Sequence, residues 1–91
     1  MNYTELENNF ECACQDVIKD LSKQYKSEYE AGGPGKIEAF FDLIKTQFEK
    51  VEANFVEKNK IENDREAIKR IRAIAKSYAK KCVMNYGNLN T

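Results

Sequence analysis

The sequence predicts an all-α fold, an antiparallel three-helix bundle, and three observations carry that prediction. Apolar residues recur every three or four positions through three long stretches. Two breaks separate the stretches: the glycine-rich run Ala31-Gly32-Gly33-Pro34-Gly35 and the wholly polar run Glu57-Lys58-Asn59-Lys60. Four glycines and one proline in 91 residues are too few for a β fold built on many tight turns. The length sets one domain, 1–91, around one core. With 42% hydrophobic and 33% charged residues, the composition suits a folded helical chain rather than a disordered one.

The first helix is expected over about 5–29. Thr4 and Glu7 match the S/T-x-x-E capping box, in which each side chain satisfies a free backbone N–H of the first turn. Leu6, Phe10, Ala13, Val17 and Leu21 then form an apolar stripe, which Cys14, Ile18 and Tyr25 broaden. The stretch ends at the glycines, which supply a left-handed cap, and at Pro34, which cannot continue the hydrogen-bond ladder. Pro34 can instead open the second helix, where a missing N–H costs nothing.

The second helix is expected over about 35–57. Ile37, Phe41, Ile44, Phe48, Val51 and Phe55 alternate spacings of four and three, the pattern of a coiled-coil seam, and Phe40 and Leu43 widen it enough to meet two neighbours. A turn is placed near 58–62, with Asn63 and Glu66 as a second capping signature. No glycine or proline enforces that turn. The competing arrangement is therefore one continuous helix from 35 to 86, which would force dimerisation.

The third helix is expected over about 64–86, with Ile68, Ile71, Ile74, Ala75, Tyr78 and Cys82 on one face. Gly87 is the natural C-cap and Leu89 the hydrophobic contact that accompanies such caps. Lys80 and Lys81 in its last turn, and Glu5 and Glu7 in the first turn of helix 1, complement the helix dipoles. Three rods on the order of 35 Å result. The core of so short a chain is small, and self-association would add to its stability, so a homodimer is compatible with this reading.

Composition also excludes chemistry. The chain has no His and no Trp, which removes imidazole metal ligands, Ser-His and Cys-His catalytic pairs, and histidine pH switches from this sequence. Cys12, Cys14 and Cys82 are an odd number without framework spacing and read as free thiols of a reducing cytoplasm. Residues two apart on a helix diverge by about 200°, so Cys12 and Cys14 cannot bridge locally. Cys14 and Cys82 fall on apolar faces as small hydrophobes, while Cys12 points the other way.

Gly32-Gly33-Pro34-Gly35-Lys36 superficially suggests a phosphate loop. The pattern fails, because Glu30 stands where the first Walker A glycine belongs, Ile37 stands where Ser or Thr should follow the lysine, and a helix precedes it instead of a strand. Asp16 with Asp20, and Glu7 with Glu11, are four apart on a helix, but with no His and with lysines interspersed they read as a solvated face rather than an acid–base pair. Tyr3, Tyr25 and Tyr29 read as half-buried closers of the bundle ends. No metal, cofactor or enzymatic activity is expected; an enzyme relying on Cys or Tyr is the weakest of the functional readings.

The first nine residues are polar and acidic, unlike a secretory leader, and no apolar run approaches the roughly 18 to 20 residues of a membrane span. A cytoplasmic protein without membrane attachment is the expectation.

Charge is the informative asymmetry. Residues 1–59 carry seven lysines against twelve carboxylates, and residues 60–91 carry eight basic against three acidic residues, so net charges of −5 and +5 cancel. Arg65, Lys69, Arg72, Lys76 and Lys80 follow spacings of four, three, four and four, forming one basic ridge along helix 3. In one reading the ridge pairs with acidic helix 1 and only orients the bundle. In the other it binds a partner. The expectation is a small helical protein-interaction module or regulator whose partner presents an acidic surface. The alternative is a nucleic-acid-binding regulator using the same ridge. The glycine-rich turn is a second candidate contact surface.

Overall fold

The computed structural model describes residues 2–30, 33 and 35–89, the last without its side chain. Its elements are α1 (Tyr3–Gln24), a π-helical turn (Tyr25–Tyr29), α2 (Lys36–Lys58) and α3 (Arg65–Leu89), packed pairwise as a three-helix bundle. The chain runs up, down, up. Tyr3 meets Asp64 and Tyr25 meets Tyr86, so α1 and α3 run parallel, while Phe55 against Phe10 and Phe40 against Tyr25 set α2 antiparallel to both. Helices 2 and 3 are separate, and the continuous alternative is not adopted.

The end of the first helical stretch at Tyr29, both ends of α2 and the start of α3 fall within one residue of expectation, while the start of α1, the end of α3 and the capping residues differ by definable local choices. α1 begins two residues early because Asn2, in extended conformation, caps it by accepting from the backbone N–H of Glu5 at 3.2 Å. The expected Thr4–Glu7 box is not used, and Glu7 is engaged by α3. The last turn before the glycines widens into π geometry, with the Glu30 N–H donating to the Tyr25 carbonyl at 2.7 Å. α2 begins at Lys36 after Gly35, whose φ of 92° is accessible to glycine at little cost. Pro34 lies outside the described residues.

At the second connection, Lys60 takes φ 55° and the Ile61 N–H returns to the Val56 carbonyl, closing α2 without glycine. Asp64, one residue past the expected Asn63, caps α3: its Oδ1 accepts from the Ala67 N–H at 3.0 Å. Gly87 is not a C-cap. The helix continues through it to Leu89, so Lys80 and Lys81 lie short of the last turn. A Cβ on Gly87 would stand 3.7 Å from the Phe41 ring, which is ordinary contact. The side chain of Leu89 lies outside the described residues, as does any contact it makes.

The core comprises Leu6, Phe10, Cys14 and Leu21 of α1; Phe40, Ile44 and Phe48 of α2; Ile61 of the connection; and Ala67, Ile71, Ala75 and Cys82 of α3. The seam of α2 is thus centred on Phe40, with Phe41 half-buried beside it. A seam-like spacing leaves two adjacent phenylalanines nearly equivalent, and the position of α1 decides which faces inward. Ile68 is likewise half-buried at the margin of α3, and Ala67 takes the buried place at that level.

The bundle ends are closed by rings, as expected of the tyrosines. At the glycine-rich end Tyr25, Tyr29 and Tyr86 surround Phe40 with ring centroids 4.7–5.1 Å away. At the other end Tyr3 donates to the Asp64 carboxylate at 3.2 Å, joining the starts of α1 and α3.

Candidate functional site

Spacings of four, three, four and four advance a helix by nearly whole turns, so the five basic residues stay on one side of α3. All five are exposed. They stand opposite Ala67, Ile71 and Cys82, and from Arg65 to Lys80 the ridge extends about 22 Å at 1.5 Å per residue.

The ridge is not the element that pairs with α1. That role belongs to Arg70, off the ridge by one helical step. Its Nη1 donates to Glu7 Oε1 at 2.9 Å, its Nε donates to Glu66 Oε1 at 3.1 Å, and its guanidinium carbon lies 4.7 Å from the centre of the Tyr3 ring. The bond to Glu7 is the main cause holding the Arg70 pKa above its ordinary value. The Glu66–Arg70 spacing of four was the available sequence signal for this contact. Tyr78 joins the same seam by donating to Glu11 at 3.4 Å. Glu7 and Glu11 are therefore half-buried against α3 and are not part of the solvated face expected of them, whereas Asp16 and Asp20 are exposed as expected.

Within the ridge Arg72 alone has an ionic partner among the described residues, Glu52 of α2, at 3.5 Å. Arg65, Lys69, Lys76 and Lys80 make no side-chain hydrogen bond or ion pair with any described residue. The ridge faces outward on the α2 side of α3, and most of its charge is left to solvent.

A groove runs beside it. Between α2 and α3, Phe48 and the small side chains of Ala75 and Ala79 form an apolar floor, with Lys45, Glu49 and Glu52 on one wall and Arg72 and Lys76 on the other. A second hollow continues the α3 wall past Ile68 and Ala73 to Lys69 and Arg65. The sequence marked the ridge but not the groove, because the floor exists only where alanines on one helix meet Phe48 on another. The displacement of Ile68 from the core supplies part of the same apolar surface.

The remaining candidates resolve into structure. Cys14 and Cys82 are buried, and Cys12 is exposed. Burial, followed by the charges of Glu11 and Cys82, pushes the Cys14 thiol up to about 12, and burial also raises Cys82. Both favour the unreactive thiol over the thiolate nucleophile. Lys36 donates to the Glu28 carbonyl at 3.4 Å and sits 5.8 Å from the centre of the Tyr29 ring, so it ties the start of α2 to the π-helical turn. Much of the glycine-rich connection lies outside the described residues. Among the described residues no helix is long and apolar enough to cross a membrane. No protein-family model, curated protein or solved structure matches this chain.

Proposed function

We propose that this chain is a small, non-enzymatic, cytoplasmic helical module that acts by binding another protein through the basic ridge Arg65, Lys69, Arg72, Lys76 and Lys80. One observation carries the reading. Among the described residues four of the five ridge side chains have no ionic partner, while the charge pairing that joins α3 to α1 runs through Arg70 instead. A stripe of cations that the fold does not use is available for an acidic surface, and it would speed encounter with one. The rest of the chain favours a protein over a polyanion. Net charge is zero, and Glu49, Glu52, Glu57 and Glu62 stand close to the ridge. Phosphates following the ridge would meet those carboxylates.

The second reading, a nucleic-acid-binding regulator, rests on the density of the stripe: five cations within residues 65–80. Fluorescence anisotropy with random duplex and single-stranded DNA and RNA, at about 50 and 200 mM salt, separates the two, because phosphate-driven affinity falls steeply over that range. The protein-binding reading expects no saturable binding at the lower salt. Binding there that weakens steeply at the higher salt, and is abolished by Lys69→Glu with Lys76→Glu, overturns it in favour of nucleic acid.

A further inference from the structure

We infer that the α2/α3 groove is a docking site for one kind of occupant, an amphipathic helix of a partner protein with an apolar stripe and an acidic edge. The inference rests on the protein-binding reading of the ridge and specifies how the partner is held.

The argument starts from the two walls. On the α3 side Arg72 and Lys76 line the groove, with Arg65 and Lys69 in a hollow on α3 itself beside it, and on the α2 side Glu49 and Glu52 line it, with Glu57 further along opposite Arg72 and Lys45 as the exception. An occupant must therefore be negative along one edge and neutral or positive along the other. A nucleic-acid strand or duplex, negative on every side, meets repulsion from the α2 wall. An amphipathic helix carries different residues on its two edges and satisfies both walls at once.

The floor sets the rest. Ala75 and Ala79 raise no bulk above the backbone of α3, and Phe48 and Ile68 supply apolar area at two points along the groove. Small floor residues allow an incoming helix to seat near the interaxial distance of about 8 to 10 Å found between packed helices. From Ile68 to Ala79 the α3 wall runs about 17 Å, the length of roughly three helical turns. That span accommodates anchors at i, i+3 or i+4, and i+7 on the occupant. Arg72 and Glu52 face each other across the walls at 3.5 Å. A carboxylate on the occupant would take Arg72 over from Glu52, leaving Glu52 for a cation on the opposite edge.

The test is a display selection of random 16-residue peptides on the full chain, followed by anisotropy titration of the enriched peptides. The titrations use the native chain, the Lys69→Glu/Lys76→Glu chain and two floor variants, Ala79→Leu, which fills the groove, and Ile68→Ser, which removes apolar area at its far end. Circular dichroism first establishes that each variant retains its helices. The expected peptides carry an apolar stripe at helical spacing with Asp or Glu along one edge. Their affinity falls at least about tenfold, a loss of roughly 1.4 kcal/mol, in the charge variant and in at least one folded floor variant. Acidic peptides weakened by the charge variant but unchanged by both floor variants overturn the groove and leave the ridge reading intact. Enriched peptides with no acidic bias, or none enriched at all, overturn the inference. A 20-base-pair duplex that binds more tightly than every selected peptide at the same salt overturns both.

Discussion

Replacing Phe40 by Ala tests the bundle at the point where the structure departs most from the spacing pattern. Phe40 is fully buried, and three tyrosine rings surround it at 4.7–5.1 Å. Buried Phe→Ala changes cost about 3 to 5 kcal/mol, the sum of lost transfer energy and the cavity left behind. Here three aromatic pairs are also lost, each worth roughly 0.5 to 1.5 kcal/mol beyond its area. The tyrosines are half-buried at the end of the bundle and can partly collapse into the space, which places the expected cost near the middle of the range, about 4 kcal/mol. Phe41, one residue on, is only half-buried, with its ring edge beside Gly87. Half the burial energy of a large apolar side chain gives about 0.8 to 1.5 kcal/mol for Phe41→Ala. Urea unfolding followed by far-UV circular dichroism gives both values, provided the slope of stability against urea stays unchanged. A Phe41→Ala cost equal to or above that of Phe40→Ala would refute this placement of α2.

Other substitutions probe the remaining local choices. Gly87→Ala should stabilise the chain by about 0.5 to 1 kcal/mol, since the residue is helical and its new methyl meets Phe41 at ordinary contact distance. Gly35→Ala should destabilise it by about 1 to 3 kcal/mol, because a Cβ is strained at φ 92°. The two melting midpoints should therefore move in opposite directions. Asp64→Ala removes the α3 cap and should cost about 1 kcal/mol, whereas Asn63→Ala should cost little in the same melt.

The Cys14 thiol, raised by burial from 9.0 to about 12, links folding to alkaline pH. The fold favours the protonated form, so this contribution is intact below pH 9 and is lost progressively as pH rises from 9 towards 12. Cys14→Ala should flatten the decline relative to the native chain. Alkylation of the folded protein near pH 8 should label Cys12 first, and labelling of Cys14 at an equal rate would contradict its burial.

Periodicity reads faces well and their centres poorly. The three helices, both breaks, the burial of Cys14 and Cys82 and the closing role of the tyrosines were legible because each follows from residues within one or two turns. Caps were less so. Asn2 and Asp64 compete with Thr4 and Asn63 as neighbouring residues of similar capping strength, and Glu7 is drawn away from a local box by Arg70 on another helix. Gly87 stays helical against its local preference because the chain around it packs on Phe41 and Phe40.

The ridge was visible in the sequence as a charge spacing. Its independence from α1 was not, since that depends on Arg70 reaching Glu7 and Tyr3 across the bundle. The groove was invisible for the same reason: its floor is shared between Ala75 and Ala79 of α3 and Phe48 of α2.

The claim that the ridge is held free for a partner, and is not part of the fold's own electrostatics, is tested most directly by neutralising it. Urea midpoints are compared for the native chain, for Lys69→Gln with Lys76→Gln and Lys80→Gln, and for Arg70→Gln alone. Exposed cations without partners contribute little to stability, so the triple variant should unfold at the native midpoint, while the single Arg70 variant unfolds earlier through loss of Glu7, Glu66 and Tyr3. A triple variant that unfolds as early as the Arg70 variant, or earlier, would show the ridge to be structural and contradict the account.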